Sequence, residues 1–341
     1  MINTHFTNIP HHKYRHQIQN RTVYTQKQPI QDSISFKGHF GEEEYNKDDI
    51  KCLKHETGFF RDIETKEFVK DYIEKNFAEK EKINIIVGGC STGEEAYTYA
   101  MLLDKLKNKT KIIGFDLSEK SINDAKSKKF LMQKQVKAPD GMIDAYTYLG
   151  HTLDDTYLCF QTDRELTPQE IERKNLFDKF FEISKETPAP EKMSLRKRIN
   201  LYIIKNFLKM FPPTFENKYV VAKENKFNNC EFVQGDILNL KDITKNEKAD
   251  IITFSNALYH ITTEEIGQSG IRKPKYNYKK VVEELISQLK ENLAPNGLFV
   301  VGEDEIMQMF DSGEFNNLMK DNGFEPLNKT NEHLENVWKL K

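Results

Sequence analysis

Apolar and polar positions along this chain switch between two periods. Ile83–Val87 is a short, nearly continuous apolar run of strand length, and after a glycine turn Glu94–Lys107 repeats at helical spacing. The pattern recurs with a strand at Lys111–Asp116 and a helix at Glu119–Phe130. Further strand signals stand at 231–234, 250–255 and 297–302. The helix Tyr278–Leu293 precedes the last of these, across a turn at Pro295, Asn296 and Gly297. A last helix, Ile306–Lys320, is stopped by Asn322 and Gly323, and two short extended pieces, 324–328 and 336–341, follow it. Alternating strands and helices predict an α/β chain with a doubly wound, Rossmann-like sheet, and the two last pieces predict an antiparallel C-terminal hairpin.

Two stretches break this rhythm. From Asp48 to about Glu81 the pattern is helical throughout, with Phe59, Phe60, Ile63, Phe68, Ile73 and Phe77 on one apolar face. Between Leu131 and about Phe215 the alternation lapses for too long to be a loop, which predicts a helical insertion. Residues 1–40 carry five of the nine histidines and one acid without sustained apolar period, so they are expected to be a disordered leader. The expected organisation is therefore a leader (1–40), a short helical segment (41–82) and a main domain (83–341) with its insertion at about 131–215.

Composition narrows the function classes. The 341 residues carry 51 Lys and Arg against 53 Asp and Glu, a net charge of −2, so the overall field gives no case for a nucleic-acid partner. No apolar run approaches the roughly 18 residues that span a bilayer. Cys52, Cys90, Cys159 and Cys230 lie far apart without a paired motif, which argues against a zinc site or disulfide framework. A soluble chain in the cytoplasm, holding no metal, is expected.

The candidate chemistry begins at the turn between the first strand and its helix. Gly88, Gly89 and Gly93 let the backbone turn tightly beside the switch point of the sheet. Such turns commonly hold phosphate, but here Glu94 and Glu95 stand at the mouth, and no Lys-Ser/Thr pair follows Gly93. Thr92 and Glu95 have the spacing of a capping box, which leaves Glu94 beside the pocket. A carboxylate there repels a pyrophosphate by about 1–4 kcal/mol at partly solvated distances, whereas an ammonium and a sulfonium are attracted. S-adenosylmethionine carries both. Asp116 closes the second strand, where an acid accepts from ribose hydroxyls, and Ser118 is the better cap for the following helix.

"TGFFRD" (57–62), "GGCSTGEEAYTYAMLL" (88–103), "GFDLS" (114–118), "FVQGDIL" (232–238), "SNALYHI" (255–261) and "LAPNGLFVVGEDE" (293–305) follow one another in an order that resembles the CheR family of protein-glutamate methyltransferases. The resemblance covers about half of the chain and implies a class I methyltransferase sheet. It implies S-adenosylmethionine contacts, with S-adenosylhomocysteine as product, from Thr57, Arg61, Gly88, Glu94, Asp116, Asp236, Ile237 and Asn256. In this assignment Arg61 forks onto the methionyl carboxylate, Glu94 meets the α-ammonium, Asp236 accepts from the adenine amine and Ile237 packs its face. Phe59 and Phe60 are expected in the core.

The chain also departs from the family. Ser255 stands where an arginine usually precedes the asparagine, His260 replaces a tyrosine, His55 an asparagine, and "GEDE" a G-H-S-E strand end. These changes leave the fold and cofactor as expected and leave the methyl acceptor open. A carboxylate acceptor, a small-molecule or other side-chain acceptor with His260 as base, and a cofactor-binding signalling scaffold without transfer all fit the residues. The segment 192–210 carries Lys192, Arg196, Lys197, Arg198, Lys205 and Lys209 with no acid, and Leu195, Ile199, Tyr202, Ile203 and Phe207 at helical spacing. It reads either as a solvated helix face packed on the main domain or as a docking face for an acidic protein partner, in place of a fuller N-terminal helical domain.

Overall fold

A computed structural model describes residues 58–135, 168–186, 215–255, 257–265, 272–302, 313–327 and 336–341. In chain order the elements run α1 (Ile63–Asn76), β1 (Ile83–Gly88), α2 (Glu94–Leu102), β2 (Thr110–Asp116), α3 (Glu119–Ser127), β3 (Lys129–Gln135), α4 (Pro168–Phe180), β4 (Phe181–Ile183), β5 (Phe215–Ala222) and β6 (Cys230–Gln234). Then come α5 (Leu240–Thr244), β7 (Ala249–Phe254), α6 (Leu258–Thr262), β8 (Thr263–Glu265), β9 (Arg272–Pro274), α7 (Tyr278–Asn292), β10 (Leu293–Val301), α8 (Glu314–Asp321), β11 (Phe324–Pro326) and β12 (Val337–Leu340).

Seven strands form one sheet in the order β11-β12-β10-β7-β1-β2-β6, and β12 alone runs opposite to the other six. This order, with its antiparallel strand beside β10, is the class I methyltransferase sheet. Side chains two apart along each strand share a face, and the two faces feed two separate cores. Ile85, Val87, Ile112, Ile251, Leu298 and Val300 join the core under α1 and α2. Their neighbours Ile86, Ile113, Phe115, Ile252, Phe254 and Phe299 join the core under α7 and α8. Strands buried on both faces read as continuous apolar runs, which is why the sequence marked them so clearly.

Element ends differ from the sequence reading for local reasons. The helix read to Phe130 stops at Ser127, because Lys128 turns left-handed (φ 55°) and redirects the chain into β3. The helix read to Lys107 ends as α2 at Leu102 and tightens into a 3-10 turn, Asp104–Leu106. Pro295, Asn296 and Gly297 lie inside β10, as a register shift between Leu293 and Leu298. The last helix is described only from Glu314, since 303–312 lie outside the described residues, as do 1–57 with the leader and the basic segment 192–210.

The described part of the insertion contains α4 and also β3, β5 and β4, which pair as an antiparallel sheet of their own. Lys, Gln, Glu and Asn interrupt both strands, leaving only the short apolar stretches 130–132 in β3 and 219–222 in β5. Aromatic rings fasten it to the main domain. Phe59 lies 4.9 Å from Phe130, 5.1 Å from Phe177 and 5.1 Å from Phe181, all edge to face. Tyr97 of α2 meets Phe130, Phe227 and Phe232 in the same cluster. Phe59 and Phe60 are both buried, as expected.

Candidate functional site: a cofactor cradle at the switch point

The turn from β1 to α2 is wound from left-handed residues: Gly89 (φ +61°), Ser91 (φ +48°) and Gly93 (φ +95°). A side chain at Gly93 would also stand 2.9 Å from the Phe232 ring, so only glycine fits. The place a Gly88 side chain would need is filled by the rings of Phe254 and Phe115. Gly88 therefore gives close packing under the cradle, and Gly89 is the exposed glycine at its mouth.

Three backbone amides of this turn are already hydrogen-bonded within the protein. Cys90 N donates to the Phe115 carbonyl at 2.9 Å, Gly93 N to the Cys90 carbonyl at 2.8 Å, and Ser91 N to Asp116 Oδ2 at 2.9 Å. A phosphate held by a glycine turn needs such amides. Here those of Cys90 and Ser91 tie the turn to the end of β2 instead, and that of Gly93 closes the turn on itself. Asp116 also accepts from Ser118 N through Oδ1 at 2.8 Å, so its carboxylate bridges the turn and the start of α3. Ser118 is the cap of α3, accepting from Ser121 N.

Glu94 is 1% exposed, and the Thr92 hydroxyl donates to its carboxylate, 2.8 Å from Oε1 and 2.6 Å from Oε2. The Thr92–Glu95 capping box does not form. Gly93 occupies the cap position without a side-chain bond, which frees Thr92 to serve Glu94. Glu95 turns the opposite way, where its Oε1 accepts from Thr253 Oγ1 at 2.9 Å and Ser255 Oγ at 3.0 Å and lies 3.9 Å from Lys66 Nζ.

Arg61 stands between two left-handed residues, Phe60 (φ 60°) and Asp62 (φ 45°), a tightly wound entry to α1. Its Nε lies 3.8 Å from Asp62, and its carbonyl accepts from Lys66 Nζ at 2.7 Å. Thr98 on α2 pins this segment by accepting from Phe60 N at 3.2 Å while donating to the Glu94 carbonyl. Across the cradle, Asp236 Oδ1 accepts from Leu238 N at 2.9 Å. Burial raises the Asp236 pKa, a shift only partly offset by that backbone bond. Ile237 beside it is buried. Burial, and then the negative charge of Asp116 and Glu94, pushes the Cys90 thiol well above its ordinary value, so the floor of the cradle is a neutral thiol in a negative field.

Gly88, Glu94, Asp116, Asp236 and Ile237 thus border the carboxyl ends of β1, β2 and β6, while Arg61 lies in the turn that Phe60 ties to α2. Thr57 and Asn256 lie outside the described residues, and His260 falls on α6 with its side chain outside the description. Thr92 was read from sequence only as a helix cap, and Lys66 was not singled out. Lys66 had a signal, being a cation in register with Ile63, Val69 and Ile73 on the buried stripe of α1. Among the described residues there is no cluster of acids, histidines and cysteines suited to a metal.

Comparison with known families agrees with this geometry. Residues 55–164 match the CheR methyltransferase SAM-binding domain, and residues 216–339 match a methyltransferase domain. The first of these stretches is thus similar to a CheR-type SAM-binding domain and the second to a methyltransferase domain. A chemotaxis protein methyltransferase of Borreliella burgdorferi is 25% identical over 190 residues, which cover 52% of this chain and 60% of that relative's own length. Among solved structures, the citrinin polyketide synthase CMeT domain aligns over 80% of this chain and 50% of its own, at 10% identity and a TM-score of 0.36. The DszA carbon methyltransferase aligns over 82% and 54%, at 10% identity and a TM-score of 0.37. At these scores the likenesses carry no weight beside the strand order itself.

The cofactor of this methyltransferase domain is S-adenosylmethionine, and the side chains fit it. Glu94, Asp116 and Asp236 all accept hydrogen bonds, which suits a ligand offering an ammonium, ribose hydroxyls and an adenine amine and carrying no phosphate. Asp236 gives this fit a pH dependence. A donor from the ligand favours the charged carboxylate, so binding opposes the upward shift that burial imposes. Affinity for S-adenosylhomocysteine should hold near neutrality and weaken as pH falls through the raised Asp236 pKa, above its ordinary 3.8. Calorimetry on Asp236→Asn should show weaker binding with that acid limb flattened. An unchanged acid limb in the variant would remove Asp236 from the site.

Proposed function

We propose that this protein is an S-adenosylmethionine-dependent methyltransferase whose acceptor is a protein carboxylate. The reading is carried by the set of hydrogen-bond acceptors at the end of β1 and β2 in a CheR-type domain, and the likeness to a chemotaxis methyltransferase directs it toward carboxylates. When bound, the cofactor supplies a methyl group made electrophilic by its sulfonium.

The chain's own residues hold and orient. Asp116 fixes the turn and faces the ribose side, Glu94 offers its carboxylate to the ammonium, and the pinned Phe60–Asp62 segment brings Arg61 to the same end. A solvated glutamate side chain titrates at about pH 4.3, so such an acceptor is already a carboxylate at neutral pH. Its methylation requires alignment with the methyl group and no general base. An acidic helical partner docking on 192–210 belongs to the same reading.

Incubation with methyl-labelled cofactor and cell lysate tests it. Label should enter protein and leave as methanol under mild base. Single-turnover transfer should be nearly flat between about pH 6 and pH 9, and His260→Phe should retain most of the rate. Base-stable label, or a rate that rises through a pKa of about 6.5 and vanishes in that variant, would instead place His260 as a base for a hydroxyl or amine.

A further inference from the structure

Beside the cradle, between the entry to α1 and the carboxyl ends of β7 and β10, lies a cavity of about 330 Å³. Phe60, Lys66, Tyr99, Ser255, Gly302 and Asn336 are among its walls. Two of these polar groups are buried deeply and incompletely satisfied. Lys66 is 2% exposed, and among the described residues its ammonium makes one hydrogen bond, to the Arg61 carbonyl. Its nearest carboxylate oxygen, Glu95 Oε1, is 3.9 Å away and already receives the Thr253 and Ser255 hydroxyls. An ammonium has three donors, so the Lys66 ion pair leaves donor capacity unused. Tyr99 is fully buried, and among the described residues its hydroxyl has no partner within hydrogen-bond distance. Burial, and then the Glu95 charge, holds its phenol well above the ordinary value, so it keeps a hydrogen to offer. The neighbouring Thr253 hydroxyl pulls the other way but gives its own hydrogen to Glu95.

Buried polar groups are ordinarily satisfied, and leaving a tyrosine hydroxyl bare is unfavourable. Two such donors on one cavity call for an acceptor from a ligand. We infer that Lys66 and Tyr99 form a carboxylate-binding subsite, placed next to the cradle through Ser255, the last described residue before Asn256. The Lys66–Glu95 pair is neutral as a whole, so an entering carboxylate meets a cation already held in place. At the rim, Asp62 is paired with Arg61 and Glu64 is exposed to solvent. Their repulsion falls within a Debye length of about 8–10 Å in ordinary salt.

The carboxylate has two sources: the acceptor, if the proposed function holds, or the methionyl end of the cofactor. Calorimetry on the full chain separates them with two pairs of probes. The first pair is N-acetylglutamate amide against N-acetylglutamine amide, on protein saturated with S-adenosylhomocysteine. The second is S-adenosylhomocysteine against its decarboxylated analogue. The variants are Lys66→Met and Tyr99→Phe. Removing one hydrogen bond to a charged group is expected to weaken the carboxylate-bearing member of one pair by about 10- to 100-fold and leave its neutral partner unchanged. The first pair responding assigns the subsite to the acceptor, and the second assigns it to the cofactor.

Tyr99→Phe guards against a folding artefact. Deleting an unsatisfied buried hydroxyl should leave the free protein at least as heat-stable as the parent while still weakening the ligand. If Lys66→Met does not fold, Tyr99→Phe decides alone. Wild-type affinity for all four probes in the folded variants would overturn the subsite. A lysate experiment without base-labile label, together with a Lys66- or Tyr99-dependent carboxylate preference, would overturn the acceptor reading and leave the subsite standing.

Discussion

Replacing Phe59 with alanine is expected to destabilise the protein by about 3–5 kcal/mol, the scale of emptying a packed aromatic site. The ring lies about five ångströms from three others, Phe130, Phe177 and Phe181, which come from β3, α4 and β4. Edge-to-face pairs add about 0.5–1.5 kcal/mol each beyond the area they bury. The loss should appear as a lower midpoint in urea with little change of slope. Because Phe59 precedes the Phe60–Asp62 turn, cofactor affinity should fall as well. A loss under about 1 kcal/mol would show that the site collapses around the gap and that the ring cluster is not the fastening described.

Replacing Asp116 with alanine is expected to weaken S-adenosylhomocysteine by about 1–3 kcal/mol per lost contact. The variant also strands the amides of Ser91 and Ser118, both buried residues, so the turn itself should loosen. Asp116→Asn discriminates the two effects. Its amide has one accepting oxygen, so it can keep one of the two backbone bonds and must lose the other. Affinity should therefore rank parent, asparagine, alanine in calorimetry. Unchanged affinity in the alanine variant would remove Asp116 from the cradle.

The parts of this molecule visible in its sequence are those where local pattern and tertiary burial agree. β1, β2, β7 and β10 are buried on both faces over their central residues, so those had to be apolar or small and the runs stood out, with Asn84, Lys111 and Asp250 confined to the strand starts. The positions of Asp116 and Glu94 were legible because a strand end and a glycine turn fix them, but their bonds to the Ser91 and Ser118 amides and to the Thr92 hydroxyl were not. β3 and β5 were not legible, since their stability comes from pairing with each other and from Phe130 and Val220 reaching a distant core. Glu95 misled for a different reason. Its spacing from Thr92 satisfies a local rule, but the hydroxyls of Thr253 and Ser255, more than 150 residues onward, compete successfully for it. Tyr99 looks from sequence like an ordinary core residue, and only the missing partner for its hydroxyl marks it.

The strand order has a consequence for how copies of this protein meet. Within the described sheet the two outermost strands are β11 and β6, and an outer strand is where a second chain can add itself by backbone pairing. β11 is three residues long and ends at Pro326, which has no amide hydrogen to give. β6 carries Glu231, ion-paired to both Lys111 and Lys245, so charge crowds that border. The long apolar strands that would be adhesive sit in the middle of the sheet. Short and charged margins leave little backbone for an incoming strand to grip, so the sheet discourages its own extension from one molecule into the next.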